Sequence, residues 1–269
     1  MIQFVLTLFS LRTYKTVCVF HHCFTIRRYN RFSVSHSLFI CEHRKVRLVV
    51  KSLYKNKNND IRYLWFFPIY LIGYIVVERV NIGAEYHVIH CFIDDMIPFN
   101  ELFVIAYLTW HVLIAVVVYY TYHNDRIVFI KLMRFFIIGT IICFAAFIIF
   151  PSCQDLRPVS FEHSNVFTWI TKLVYFIDTP TNTTPSMHVV GSMGLLFAVH
   201  YSNNRMHLGT KAAFVIAVIM ICASTLFLKQ HSVIDIIAAV PVTYIAWAFS
   251  FGDYKLRFCN KTKMIFTKM

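Results

Sequence analysis

Six apolar runs, over 64–80, 102–122, 132–150, 185–201, 212–228 and 233–251, constrain this chain more than any other feature. A run of about 20 apolar residues crosses a bilayer as a helix, because a helix satisfies its own backbone polar groups where no water can. The pattern predicts an all-α, six-span transmembrane bundle. Composition agrees: only 14% of the 269 residues are charged and 58% are hydrophobic. That excludes an ordinary soluble surface, where about 25% charge is usual, and it excludes disorder. The fourth run is the most polar, because it opens with Ser186 and His188. Pro241 inside the sixth is expected to kink it.

The net charge is +13. In a soluble protein such an excess would point to nucleic acid. Here its placement decides. With six spans, 22 of the 26 Lys and Arg fall on the side that carries both termini, and only Arg79, Arg157, Lys172 and Lys229 fall on the other. Basic loops stay in the cytoplasm. Both termini are therefore expected there, in the plasma membrane if the source is bacterial, and no nucleic-acid partner is expected.

Three regions are delimited: a basic extension at 1–60, a membrane catalytic domain at 61–252 and a basic tail at 253–269. Residues 1–11 are apolar but too short to span, and they lack the positive start and cleavage site of a signal peptide. The extension reads either as an arm drawn to anionic lipid or as upstream sequence translated with the protein. Eight cysteines occur without a C-x-x-C pair, so no zinc or redox spacing is present. Cys143 and Cys222 read as core fillers. Cys91 and Cys153 are both extracytoplasmic, with their pairing open.

Three polar clusters fall at span ends on that face. They are Gln154 to Pro158, Asn182 to His188, and Ser224 to Asp235. In the third, His231 and Asp235 are four apart and share a helix face. The carboxylate can hold one imidazole nitrogen as N–H and leave the other free to react; the pair can equally serve to cap the sixth span. In the second, Pro185 suits a first helical turn and Thr184 an N-cap. A helix start with a hydroxyl and an imidazole is a ready phosphate site, or a plain capped start. Arg157 offers a planar cation to phosphate oxygens, or snorkels at the interface.

The order Arg157-Pro158, then Pro185-Ser186-Met187-His188, then Ser224-x6-His231-x3-Asp235 resembles the three motifs of the type-2 phosphatidic acid phosphatase superfamily. The runs from Asp178 to His188 and from Asp94 to Phe99 look like its inositol phosphorylceramide synthase branch. The likeness covers about 64–250. It implies six spans and a metal-independent, cofactor-free transfer of phosphate from a membrane lipid to water or an acceptor alcohol. His231 would be the nucleophile, Asp235 its orienting carboxylate and His188 the acid; Arg157, Ser186 and Lys229 would bind phosphate. Three motif positions depart from the family: Phe150 and Thr225 stand where cations are usual, and Met187 where glycine is usual. The missing cations favour transfer over monoester hydrolysis. The competing readings are a serine hydrolase from Ser186, His231 and Asp235, a metal site from His188, His231 and Asp235, and a transporter or scaffold.

Overall fold

The computed structural model describes residues 60–81, 83–202 and 207–252. The basic extension up to residue 59, Arg205 and the tail at 253–269 lie outside the described residues, and a compact unit opens at Asp60.

Eight helices follow: α1 (Phe66–Val80, entered through a 3-10 turn at Ile61–Trp65), α2 (Phe92–Met96), α3 (Val104–Asn124, entered through Glu101–Phe103), α4 (Arg126–Ile149), α5 (Val166–Ile177), α6 (Met187–Tyr201), α7 (Leu208–Phe227) and α8 (Val233–Trp247, continued by a wider turn at Ala248–Gly252). Five are long and apolar enough to cross a membrane once their entry or exit turns are included: Ile61–Val80, Glu101–Asn124, Arg126–Ile149, Leu208–Phe227 and Val233–Gly252. Polar residues set the starts. Asp125 accepts the Val128 amide at 3.2 Å to begin α4, and Asn165 accepts the Thr168 amide at 2.9 Å to begin α5. Helix α8 runs through Pro241.

The fourth expected span is α6, and it differs from the other five. It has 15 residues, about 22 Å of helix against a hydrocarbon core of about 30 Å. It is also the centre of the bundle, packed on α3, α4, α7 and α8, with Val189 through Val199 all buried. Two glycines permit that approach. A Cβ at Gly194 would lie 2.6 Å from the Phe135 ring, and one at Gly191 would lie 2.9 Å from the Trp110 ring, so small residues here let helices close as they do in membrane interiors.

The expected all-α architecture needs one amendment. Two short segments pair in parallel, β1 (His87–Val88) with β2 (Ser152–Cys153), and Cys153 bridges Thr181. These loops would otherwise leave backbone groups unpaired, and the pairing ties the α1–α2, α4–α5 and α5–α6 connections together. Cys91 and Cys153 are free thiols; Cys143 and Cys222 are buried, as expected of core fillers.

Helix α5 is too short to span. Its polarity is inverted, with Thr168 and Thr171 buried while Val166, Trp169, Phe176 and Ile177 face out. Its inner face joins Val174 to Val104, Tyr107 and Leu228 in an apolar cluster, which seals the end of the bundle where the polar clusters gather. At the opposite end Asp60 pairs with Arg126.

Candidate functional site

The site is built on the turn between α7 and α8. Helix α7 ends in a left-handed cap. The Gln230 amide reaches back to the Thr225 carbonyl at 2.9 Å and the Lys229 amide to Leu226 at 3.0 Å, with Lys229 at φ 52°. Glycine usually fills this position. Lysine occupies it here with its side chain tied down, its Nζ donating to the Asp94 carbonyl at 2.6 Å. The cap also turns the next residue inward, because the His231 amide shares the Thr225 carbonyl at 3.1 Å.

Ser232 caps α8, and Asp235 completes a capping box by accepting the Ser232 amide at 2.9 Å. The same carboxylate oxygen accepts from His231 Nδ1 at 3.1 Å. Capping and orienting are therefore one arrangement, not alternatives. Asp235 is fully buried. Its other oxygen accepts from the Thr184 hydroxyl, and its carbonyl accepts from the Ser186 amide at 3.1 Å. These bonds correct the expected start of the fourth span. Thr184 is not its N-cap and Pro185 is not in its first turn. Both lie in a bend held by Asp235 through the Thr184 hydroxyl and the Ser186 amide, and the helix begins at Met187 with Ser186 as its cap residue.

That shift places His188 one residue into α6, where its Nδ1 lies 3.3 Å from His231 Nε2. The imidazole packs against the rings of Tyr107 and Trp110, with centroids 4.7 and 4.5 Å away. Two histidines and a carboxylate thus form one line. With Asp235 accepting the proton on His231 Nδ1, Nε2 carries a lone pair, and the proton between the two rings then belongs to His188 Nδ1.

Arg157 sits beside this line. It donates to the carbonyls of Tyr175 at 3.1 Å and Asp178 at 2.7 Å and to Gln230 Oε1 at 2.6 Å, with its plane over the Tyr175 ring at 4.3 Å. All three acceptors are neutral, and among the described residues Arg157 has no salt bridge. Burial pulls its pKa below the ordinary guanidinium value, as desolvation of a cation must. Lys229 is likewise pulled below its usual value by burial. Its ammonium faces a carbonyl and not the histidine pair, so Lys229 docks α2 against the turn. Asp94 completes that dock by accepting from Ser232 Oγ at 2.6 Å and from the Val233 and Cys91 amides, each at 2.8 Å. Burial alone would raise the Asp94 carboxyl; these hydrogen bonds outweigh it and hold it below the usual carboxylate value.

Several buried donors near the line have no partner among the described residues: Ser186 Oγ, Asn182 Nδ2, Gln230 Nε2 and Arg157 Nε. A buried donor without an acceptor costs about 1–3 kcal/mol, and four of them, one on the Arg157 guanidinium itself, suit an anion. The Ser186 hydroxyl is not bonded to His231, so the nucleophile–base contact of a serine hydrolase is not formed. Among the described residues no three His, Cys, Asp or Glu side chains are grouped to hold a metal ion.

Of the six expected site residues, His188, His231, Asp235 and Ser186 meet directly, and Arg157 joins through Gln230. The motif departures are accommodated elsewhere. Phe150 stacks on His87 with centroids 4.3 Å apart, and Thr225 spends its hydroxyl on the Cys222 carbonyl at 2.8 Å. Sequence reasoning missed Thr184 on Asp235, Tyr107 and Trp110 around His188, and Asp178. The Asp178 carboxylate accepts from the Tyr74 and Tyr107 hydroxyls at 3.1 and 2.9 Å. The only signal for Gln230 was its place between Lys229 and His231; the aromatics had none, since Tyr and Trp are common in any span.

No family model, curated protein or solved structure matches the chain.

Proposed function

We propose that this chain is a six-span membrane enzyme that transfers phosphate from a phospholipid or lipid phosphate to water or an acceptor alcohol through a phosphohistidine. The observation that carries the reading is the line Asp235–His231–His188, with a lone pair and a proton facing each other across 3.3 Å.

His231 Nε2 attacks phosphorus as the bond to the departing alkoxide breaks. His188 enters as the imidazolium beside the anionic phosphate, gives its Nδ1 proton to that oxygen and is left neutral, a contribution worth about 10²–10⁴-fold. Asp235 holds the imidazole and stabilises its developing charge. Neutral His188 then takes the proton of water or an alcohol, whose oxygen attacks phosphorus and frees His231. Arg157, Ser186 Oγ and the amides of Gln230 and Asn182 supply charge and donors to the phosphoryl oxygens. The scarcity of cations, with Phe150 and Thr225 standing where two would be expected, favours a phosphodiester or headgroup-bearing lipid over a doubly charged monoester.

Helix α6 is the fourth of the six crossings, in addition to the five long helices. A helix short of the hydrocarbon thickness starts below the membrane surface, so the histidines lie where a lipid phosphate reaches them from the leaflet. The basic residues place the termini in the cytoplasm and this site on the far side. The test is a denaturing quench at alkaline pH of the purified protein with phosphate-labelled lipids, scored for acid-labile, alkali-stable phosphohistidine, released phosphate and new phospholipid. A labelled histidine at 231 is expected. A stable adduct on Ser186, or turnover with no phosphoprotein, would overturn the mechanism.

A further inference from the structure

The outer face of α3 carries a second feature at the level of His188. Between α3 and α7 lies a groove of about 340 Å³, lined by Leu102, Phe103, Ile105, Ala106, Ala217 and Ile221 together with Thr109 and Met220. Its lining is almost wholly apolar, with the Thr109 hydroxyl turned onto the Ile105 carbonyl at 2.7 Å. Ile221 forms a buried floor, while Leu102, Ile105 and Met220 are exposed at the rim. The groove therefore opens sideways, toward the space lipid tails occupy around a spanning bundle. Two alanines make the room, Ala106 on α3 and Ala217 on α7; larger aliphatic side chains at these positions would close it.

Its height is what gives it a role. Tyr107 and Trp110 follow Ala106 and Thr109 by one residue, and their rings enclose His188 at 4.7 and 4.5 Å. One face of α3 thus backs the reacting histidine while the adjacent face walls the groove. Phe103, which lines the groove, stacks on Phe227 at 4.2 Å, next to the turn that carries His231. A lipid whose phosphate sits at the histidines has its glycerol or sphingoid body at this rim and its tails running along the helices.

We infer that the α3–α7 groove holds one acyl chain of the lipid substrate and so determines chain-length preference; this rests on the proposed lipid phosphotransfer. The occupant is a chain of the bound substrate, distinct from bulk lipid, which touches every outward helix face alike.

The experiment uses full-length protein in phosphatidylcholine nanodiscs with a long-chain phosphatidylinositol, a headgroup-bearing phosphodiester, that carries a diazirine on one acyl chain. After irradiation, adducts are mapped by mass spectrometry while the mole fraction of probe is varied. Labelling of groove residues should saturate at a low mole fraction. Labelling of Ile72 and Ile75, exposed on α1, should rise in proportion to the probe. Filling the groove with Ala106→Leu and Ala217→Leu should abolish the saturable adducts and spare those on α1. The same change should raise KM for long-chain lipid about tenfold, leaving turnover of a short-chain soluble phosphate ester unchanged. Proportional labelling in the groove, or saturable labelling confined to other helices, overturns the inference whatever the turnover. Saturable groove labelling without turnover keeps the chain site and defeats the enzymatic reading instead. If the double variant does not fold, the wild-type titration alone decides.

Discussion

Nε2 of His231 and Nδ1 of His188 face each other at 3.3 Å across 43 positions of sequence. Neither ring has freedom to turn away. His231 is held from behind by Asp235, and His188 lies between Tyr107 and Trp110. A site whose reacting groups are fixed by packing loses little entropy when substrate arrives.

Asp235→Asn should be far more damaging than its size implies. An amide in place of the carboxylate can present N–H to His231 Nδ1, which would move the imidazole proton to Nε2 and remove the lone pair. Turnover should fall by roughly 10⁴-fold, while the Ser232 amide, which shares that oxygen, loses its acceptor at a cost of only about 1–3 kcal/mol. Activity and thermal unfolding, measured on the same detergent preparation, separate the two effects. Equal loss of both would make Asp235 a structural residue only.

His188→Ala should lose about 10²–10⁴-fold on a lipid substrate, whose alkoxide needs a proton to leave. On an aryl phosphate ester, whose leaving group departs without one, the loss should be much smaller. Comparing the two substrates in wild type and variant tests the assignment. An identical loss on both would show that His188 acts in binding and not as an acid.

The dock between Asp94 and the start of α8 predicts an acid limb in stability. The folded carboxyl lies below its usual value, so its stabilising contribution is complete above about pH 4 and is lost as pH falls through the folded value. Lys229, on the Asp94 carbonyl, stays charged throughout that window, and Asp95 is the other carboxylate close by. Asp94→Asn should lower the unfolding temperature at neutral pH and flatten its decline in acid. A variant whose acid profile superimposes on the wild type would remove Asp94 as the source.

Gly191→Ala brings a methyl within 2.9 Å of the Trp110 ring, and Trp110 packs on His188. Overpacking of this kind costs about 1–3 kcal/mol. Both stability and turnover should drop, and adding Trp110→Phe should recover turnover by giving the methyl room. If the double variant is no better than Gly191→Ala alone, the ring is not the route to His188.

Orientation is best probed at Val159, which is fully exposed, because Asn182 and Thr183 in the neighbouring connection are buried. In a cysteine-free background Val159→Cys should react with an impermeant thiol reagent in intact cells, and Asn124→Cys only after permeabilisation. The reverse pattern would invert the topology.

The spans were legible in the sequence because the bilayer imposes a local rule: each segment must satisfy its own backbone and present apolar side chains over a set length. Five helices obey that rule, and the charge asymmetry is likewise a property of residue order. The His231–Asp235 pair was legible from its four-residue spacing, but not as a shared helix face: His231 lies in the turn before the Ser232 cap, and the capping box brings the two together. The start of the fourth helix was not. Thr184 and Pro185 read locally as a cap and a first turn, yet Asp235, about fifty positions later, holds Thr184 and the Ser186 amide at a bend and the helix starts at Met187. Nor did local order foretell that a Lys would take the left-handed turn after α7, because its cost is met by a carbonyl 135 positions away. Sequence by itself determined the long apolar helices and the order of the basic and polar residues along the chain. Tertiary structure decided which of them meet, because hydrogen bonds and ring contacts between distant segments depend on how closely α6 can be enclosed. That closeness is set by glycines and aromatics whose roles appear only in the packed bundle.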